Sequence, residues 1–113
     1  MKKAFRIRKN EEFSEIINKK HSFSNASFVI YIDLKKEEHS RVGISVSKKL
    51  GDAVQRNKIK RQVRMMFINI YDFKTSDYDL ICIIKAKYKD NNFIDNQNQL
   101  EKLVKKAIIN KWT

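Results

Sequence analysis

Between Lys48 and Arg64 the chain carries seven basic residues and a single acid, Asp52. Any fold must bury one side of this segment while leaving so many like charges in contact with water or a polyanion. Apolar residues supply the buried side: Ile59, Val63, Met66, Phe67 and Ile70 recur every three or four positions, which predicts a helix over 53–71. Leu50 and Gly51 break the pattern before it, and Asp52 followed by Gln55 has the spacing of a capping box. On a wheel of about 100° per residue, Arg56, Asn57, Lys60, Arg61 and Arg64 fill one sector beside the apolar stripe. Arginine suits such a face because its planar fork takes two phosphate oxygens at once or stacks on a base. Asn57 adds a neutral donor–acceptor pair for a base edge or a ribose hydroxyl. Cations near a helix N-terminus oppose the macrodipole, a mild cost that a dense array of phosphates offsets.

The flanking sequence predicts an α/β sandwich. Asn10 is placed to cap a first helix running to about Lys19, with Glu11 and Glu12 in its first turn and Phe13, Ile16 and Ile17 at helical spacing. Alternation over 27–34 predicts a strand with Phe28, Ile30, Ile32 and Leu34 on one face and Val29, Tyr31 and Asp33 on the other. A polar connection leads to a second strand over 41–47, in which Val42, Ile44 and Val46 share a face. The two are expected to pair as an antiparallel hairpin. Residues 79–85 are almost wholly apolar, as in a strand inside a sheet. Asp95 or Asn96 is expected to cap a last helix that turns Leu100, Leu103, Val104, Ala107, Ile108 and Trp112 to the core. No repeat or linker divides the chain, so 113 residues are expected to form one domain.

Charge narrows the partner. The chain carries 25 Lys and Arg against 13 Asp and Glu, a net +12, and repulsion of that size opposes compaction unless a polyanion offsets it. Five of the first nine residues are also basic: Lys2, Lys3, Arg6, Arg8 and Lys9. The lone Cys82 lies in an apolar run and reads as a small buried hydrophobe. No internal disulfide can form, which agrees with a reducing cytoplasm. No apolar run is long enough to span a bilayer and no signal-peptide pattern is visible, so a cytoplasmic protein is expected. No Cys/His spacing suggests zinc. His21 and His39 are isolated, and Asp77 and Asp79 read as turn and strand-edge residues. Ser45 or Ser47 with His39 lacks both a nucleophile elbow and an orienting acid. No catalytic and no metal-binding side chains are assigned, and no small-molecule substrate is expected.

The run Leu50-Gly-Asp-Ala53-Val-Gln-Arg56-Asn57-Lys58-Ile59-Lys60-Arg61-Gln-Val63-Arg64 resembles the signature of the bacterial ribonuclease P protein family. Arg41-Val-Gly-Ile-Ser-Val-Ser-Lys-Lys49 resembles the family's strand, and Arg6-Ile-Arg-Lys-Asn-Glu-Glu-Phe13 its start. Three positions depart from the pattern. Ile17 stands where an aromatic is common, Met65 where a polar residue is usual, and Lys85-Ala86-Lys87 replaces an Ala-Arg-x-Pro-like segment.

The resemblance implies a small α+β sandwich in the order αβββαβα, with a mainly antiparallel four-stranded sheet, three helices and a left-handed strand–helix–strand crossover. It implies an RNA-binding subunit of an endoribonuclease that removes the 5′ leader of precursor tRNA. Arg56, Asn57, Lys58, Lys60, Arg61 and Arg64 would dock on the catalytic ribonuclease P RNA. Phe13, Ile17, Tyr31, Ser45 and Lys49 would line a cleft for the single-stranded leader, where aromatic faces stack on bases without demanding a sequence. By residue type alone, Phe13 and Tyr31 are core candidates. The partners implied are that RNA and precursor tRNA. The RNA and its Mg2+ would perform hydrolysis, and the protein would supply binding energy and raise metal-ion occupancy. Three other readings stand beside it. A structural RNA-binding protein would share the charge, a DNA-binding module would need the helix-turn-helix that is not evident, and a membrane-surface role would compete for a stripe the core requires.

Overall fold

The run around residues 79–85 is apolar on both faces and so has to lie inside the sheet, and its position organises the fold. In the computed structural model, which describes residues 1–110, the elements are α1 (Asn10–Asn18), β1 (Ser22–Ser24), β2 (Phe28–Leu34), β3 (Val42–Val46), α2 (Ala53–Ile70), β4 (Tyr78–Ile84) and α3 (Phe93–Asn110). The four strands lie in the order β1-β2-β4-β3. β4 runs antiparallel to β2 and parallel to β3, and β1 runs antiparallel to β2. The sheet is therefore mixed, with two of its three pairings antiparallel.

The hairpin expected from 27–34 and 41–47 does not form. β4 inserts between the two strands, because a strand apolar on both faces gains most from a central place while the shorter, Gly- and Ser-containing β3 can serve as an edge. β3 then reaches its parallel neighbour β4 through α2, as parallel strands require. β1 lacks the alternation that identifies a strand; its Ser-Phe-Ser is recognisable only once Phe23 is set opposite Ile30.

Phe28, Ile30 and Ile32 of β2, with Leu80, Cys82 and Ile84 of β4, pack against Val63, Met66 and Phe67 of α2 and Leu100, Leu103, Val104 and Ala107 of α3. Leu34 lies past this core and is exposed. Burial pushes the Cys82 thiol up, which keeps it a neutral core side chain. The opposite face carries α1 and a smaller cluster of Ile7, Ile16 and Ile81, with Phe13, Ile17, Tyr31 and Ile83 packed around it.

The capping box at α2 is present: the Gln55 N–H donates to Asp52 Oδ1 at 2.9 Å and the Asp52 N–H to Gln55 Oε1 at 3.1 Å. Gly51 makes room for it at φ 140°, where an added Cβ would lie 1.9 Å from Gln55 Oε1. The other two caps differ from expectation. Lys9 occupies the N-cap position of α1 without a side-chain bond and Asn10 is already helical. At α3 the Asp95 N–H donates to Asn92 Oδ1 at 2.8 Å, so Asn92 caps a helix that starts before Asp95. Asn96 is instead buried and donates to the Tyr88 carbonyl at 2.9 Å. Trp112 lies outside the described residues. No described helix is long and apolar enough to cross a membrane.

Candidate nucleic-acid interface

From Ala53 to Ile70 the chain of α2 contains no acid. Among the described residues none of its basic side chains is ion-paired, and neither is any in the first nine residues. Lysines and arginines elsewhere do find carboxylates: Lys19 reaches Asp33 at 2.7 Å and Arg41 reaches Glu12 at 2.6 Å. Charge is thus paired around the sheet and left without carboxylates on α2, while Arg6, Arg8 and Lys9 face Glu11, Glu12, Glu15 and Glu37 across a pocket without closing to an ion pair.

The N-terminal segment is fixed beside α2. Phe5 stacks on Phe73 with centroids 4.8 Å apart, and the Ile7 N–H donates to the Val42 carbonyl at 3.1 Å, extending the outer edge of β3. Ile7 is buried beneath α1, which leaves Arg6 and Arg8 on either side of it.

Between α1, the β3 edge and α2 lies a cleft of about 520 Å3 lined by Ile7, Arg8, Asn10, Phe13, Ser14, Ile17, Ile44, Ser45, Val46, Lys60 and Arg64. Its floor exists because α1 spans only about 14 Å, at roughly 1.5 Å per residue, and leaves much of the sheet uncovered. Phe13 reaches the floor over Gly43, where an added Cβ would be 2.6 Å from the ring. Register places Tyr31, Ile81 and Gly43 in one row across three strands, and Val29, Ile83 and Ser45 in the next. All six lie on the α1 face, and Val29, Tyr31, Ile83 and Ser45 are only half-buried.

α1 is held at the other end of this face by an ionic row. Asp33, Asp79 and Arg41 stand side by side on β2, on β4 and just before β3; Lys19 bonds Asp33, while Arg41 bonds Glu12 and approaches Asp79 at 3.4 Å. Asp79 Oδ1 also accepts from the Arg41 N–H at 2.9 Å. The Arg41 hydrogen bond holds the Glu12 carboxyl below its ordinary value, whereas burial raises that of Asp79 despite the same guanidinium. Asp79 is therefore an interior brace, not the strand-edge residue expected.

The expected docking residues divide around α2. Lys60 and Arg64 turn to the cleft, and Arg64 also borders a second pocket with Asn57 and Arg61. Lys58 lies on the far flank beside Tyr88 and Lys89. Arg56 is half-buried and donates to the Gly51 carbonyl at 3.1 Å. Of the expected leader residues, Phe13, Ile17 and Ser45 meet in the cleft. Tyr31 lies two strands away on the same face, and Lys49 is exposed on the turn after β3, so neither lines it. Arg8, Asn10 and Ser14 join the cleft without having been expected there; Arg8 and Asn10 lie in the 6–13 run that resembles the family's start, whereas no motif includes Ser14.

A family model described as Ribonuclease P matches residues 1–108. The chain is 48% identical over 99 residues to the ribonuclease P protein component of Mesoplasma florum, covering 87% of this chain and 90% of that protein. It superposes with a TM-score of 0.81 on a structure of the Staphylococcus aureus RNase P protein, at 43% identity, over 98% of this chain and 100% of the other. The RNase P protein of Thermotoga maritima is similar at 28% identity with a TM-score of 0.76, over 89% and 96% of the two chains.

Proposed function

The chain belongs to the ribonuclease P protein family, and from that premise we propose that it binds the catalytic RNA through α2 and the 5′ leader of precursor tRNA through the cleft beside it. As a ribonuclease P protein component it is a subunit of an endoribonuclease whose partner is ribonuclease P RNA. The observation carrying the finer reading is the segregation of charge: α2 contains no acid and its cations make no ion pair among the described residues, while the sheet's cations are paired. Such a face gains most from phosphates, through release of their counterions.

In this reading Arg56, Asn57, Lys58, Lys60, Arg61 and Arg64 dock on the ribozyme. The leader runs over Phe13, Ile17 and Ser45, with Tyr31 and Lys49 extending the track beyond the cleft. Stacking on Phe13 tolerates any base, and Lys60 and Arg64 at the wall hold the backbone. Because Arg64 borders both sides, leader and ribozyme are brought together at one helix. Hydrolysis itself is assigned to the RNA and its Mg2+. The protein's part is to screen repulsion between two RNAs and raise metal-ion occupancy. A cytoplasmic location and a single domain belong to the same proposal.

Cleavage of a precursor tRNA by ribonuclease P RNA at low magnesium, with and without this protein, is the test. Strong stimulation is expected, falling when the leader is removed or when Arg61 and Arg64 are both replaced by Ala. Tight, salt-sensitive RNA binding without stimulation would replace this reading with a structural RNA-binding role.

A further inference from the structure

On the side of α2 away from the leader cleft, the N-terminal segment closes a second pocket of about 380 Å3 against the helix, within the roughly 300–1,000 Å3 of small-molecule sites. Its walls are of two kinds. Arg6, Arg61 and Arg64 bring three guanidiniums to it, with no carboxylate among its lining residues. Arg6 is held by a bond from its terminal nitrogen to the Met1 carbonyl at 2.8 Å, yet its buried Nε has no acceptor among the described residues. Arg64 is less basic than an ordinary arginine because of burial and the nearby Arg6, the signature of cations gathered without a counter-charge.

The other wall is apolar. Met65 and Ile68 are 49% and 48% exposed on the outer face of α2, at a spacing of three residues, and line the same pocket. A phosphate alone has no use for this wall, whereas a base does. Asn57 lies between the two walls on the helix, with an amide suited to a base edge. We propose that this pocket receives a single unstacked nucleotide of RNA, its phosphate held by Arg6 and Arg64 and its base laid on Met65 and Ile68 beside Arg61 and Asn57. The inference rests on the RNA-docking reading of α2 and goes beyond it. One contact becomes a nucleotide extruded from its stack, and Arg6, from outside the helix, becomes a binding residue. Part of the affinity then comes from apolar contact, which salt does not screen as it screens ion pairs.

Two measurements on the full chain test it. Adenosine 5′-monophosphate, ribose 5-phosphate and inorganic phosphate are titrated while the methyl signal of Met65 is followed by NMR. The base-bearing probe is expected to bind about tenfold tighter than the other two and to move that signal by its ring current. Equal affinity for all three would reduce the site to an anion pocket and overturn the proposal. Affinity for ribonuclease P RNA is then measured across salt for Met65→Ala/Ile68→Ala and, separately, for Arg61→Ala. The apolar pair should lose about five- to tenfold with an unchanged salt slope. If the apolar pair binds as the parent does while Arg61→Ala weakens binding, the nucleotide pocket is lost and the docking reading survives. If neither variant weakens binding, the docking reading fails with it.

Discussion

Gly43 shows how one absent side chain sets the cleft. It sits on β3 directly beneath Phe13, and an added Cβ would lie 2.6 Å from the Phe13 ring and 2.8 Å from Ile81 Cδ1. Both obstacles are tips of side chains, so the ring moves before the sheet does. Gly43→Ala is expected to cost about 1–3 kcal/mol, as overpacking does, and to weaken binding of leader-bearing precursor more than of mature tRNA. The cause can be isolated by urea unfolding of Gly43→Ala, Phe13→Ala and the double variant. Because Phe13→Ala removes the ring that clashes, the double variant should be less destabilised than the sum of the singles. Strict additivity would mean that Gly43 acts through the backbone alone. Alternation over 41–47 sets Gly43 on the strand face opposite Val42, Ile44 and Val46, and helical spacing sets Phe13 on α1. Their contact depends on how α1 crosses the sheet, which no local pattern encodes.

Among the elements, α1 is the one whose seating is most exposed to pH. Its nine residues bury only Ile16 completely, so the Glu12–Arg41 and Lys19–Asp33 bonds carry much of its attachment. Glu12 is depressed by its Arg41 hydrogen bond. Its contribution is therefore full above the unfolded carboxyl value of about 4.3 and is lost as pH falls through the lower folded value. Asp79 has the opposite sign: burial raises it, so its ionised form costs stability above the unfolded value of about 3.9, and protonation relieves that cost. Acid loosening of α1 thus runs through Glu12. At pH 6 Glu12→Gln should be less stable than the parent by roughly 1–2 kcal/mol, and the gap should narrow as pH is lowered from 6 towards the acid limit of the fold, measured by urea unfolding across that range. A gap that stays constant would show that Glu12 contributes no pH-dependent stability.

The elements themselves were legible to different degrees for the same physical reason. α2 and its capping box follow from local spacing, and the structure keeps both. The failure of the hairpin expected from 27–34 and 41–47, the short β1 and the brace at Asp79 depend on which strand takes the centre of the sheet, a competition between distant segments.

At the scale of the whole molecule, the net charge of +12 is not spread evenly. Carboxylates gather on α1, the strand ends and α3, where they meet Lys19, Lys35, Arg41 and Lys105. α2 and the N-terminal segment are left as one basic ridge with a pocket on each side of Arg64. The wheel placed Arg56, Asn57, Lys60, Arg61 and Arg64 together because helical geometry is local. It could not divide them between two pockets, since the dividing walls come from α1 and the first nine residues. If binding used charge as a diffuse cloud, removing any cation would act alike. A localised ridge predicts otherwise. The slope of log affinity for ribonuclease P RNA against log salt should shrink by about 1–2 in Arg61→Ala/Arg64→Ala, given roughly 0.7–0.9 per phosphate contact. Lys105→Ala removes a cation already 3.8 Å from Glu101 on α3 and should leave the slope unchanged. Equal changes in the slope per charge removed would mean that the RNA responds to net charge, and that the ridge on α2 has no privileged role in holding it.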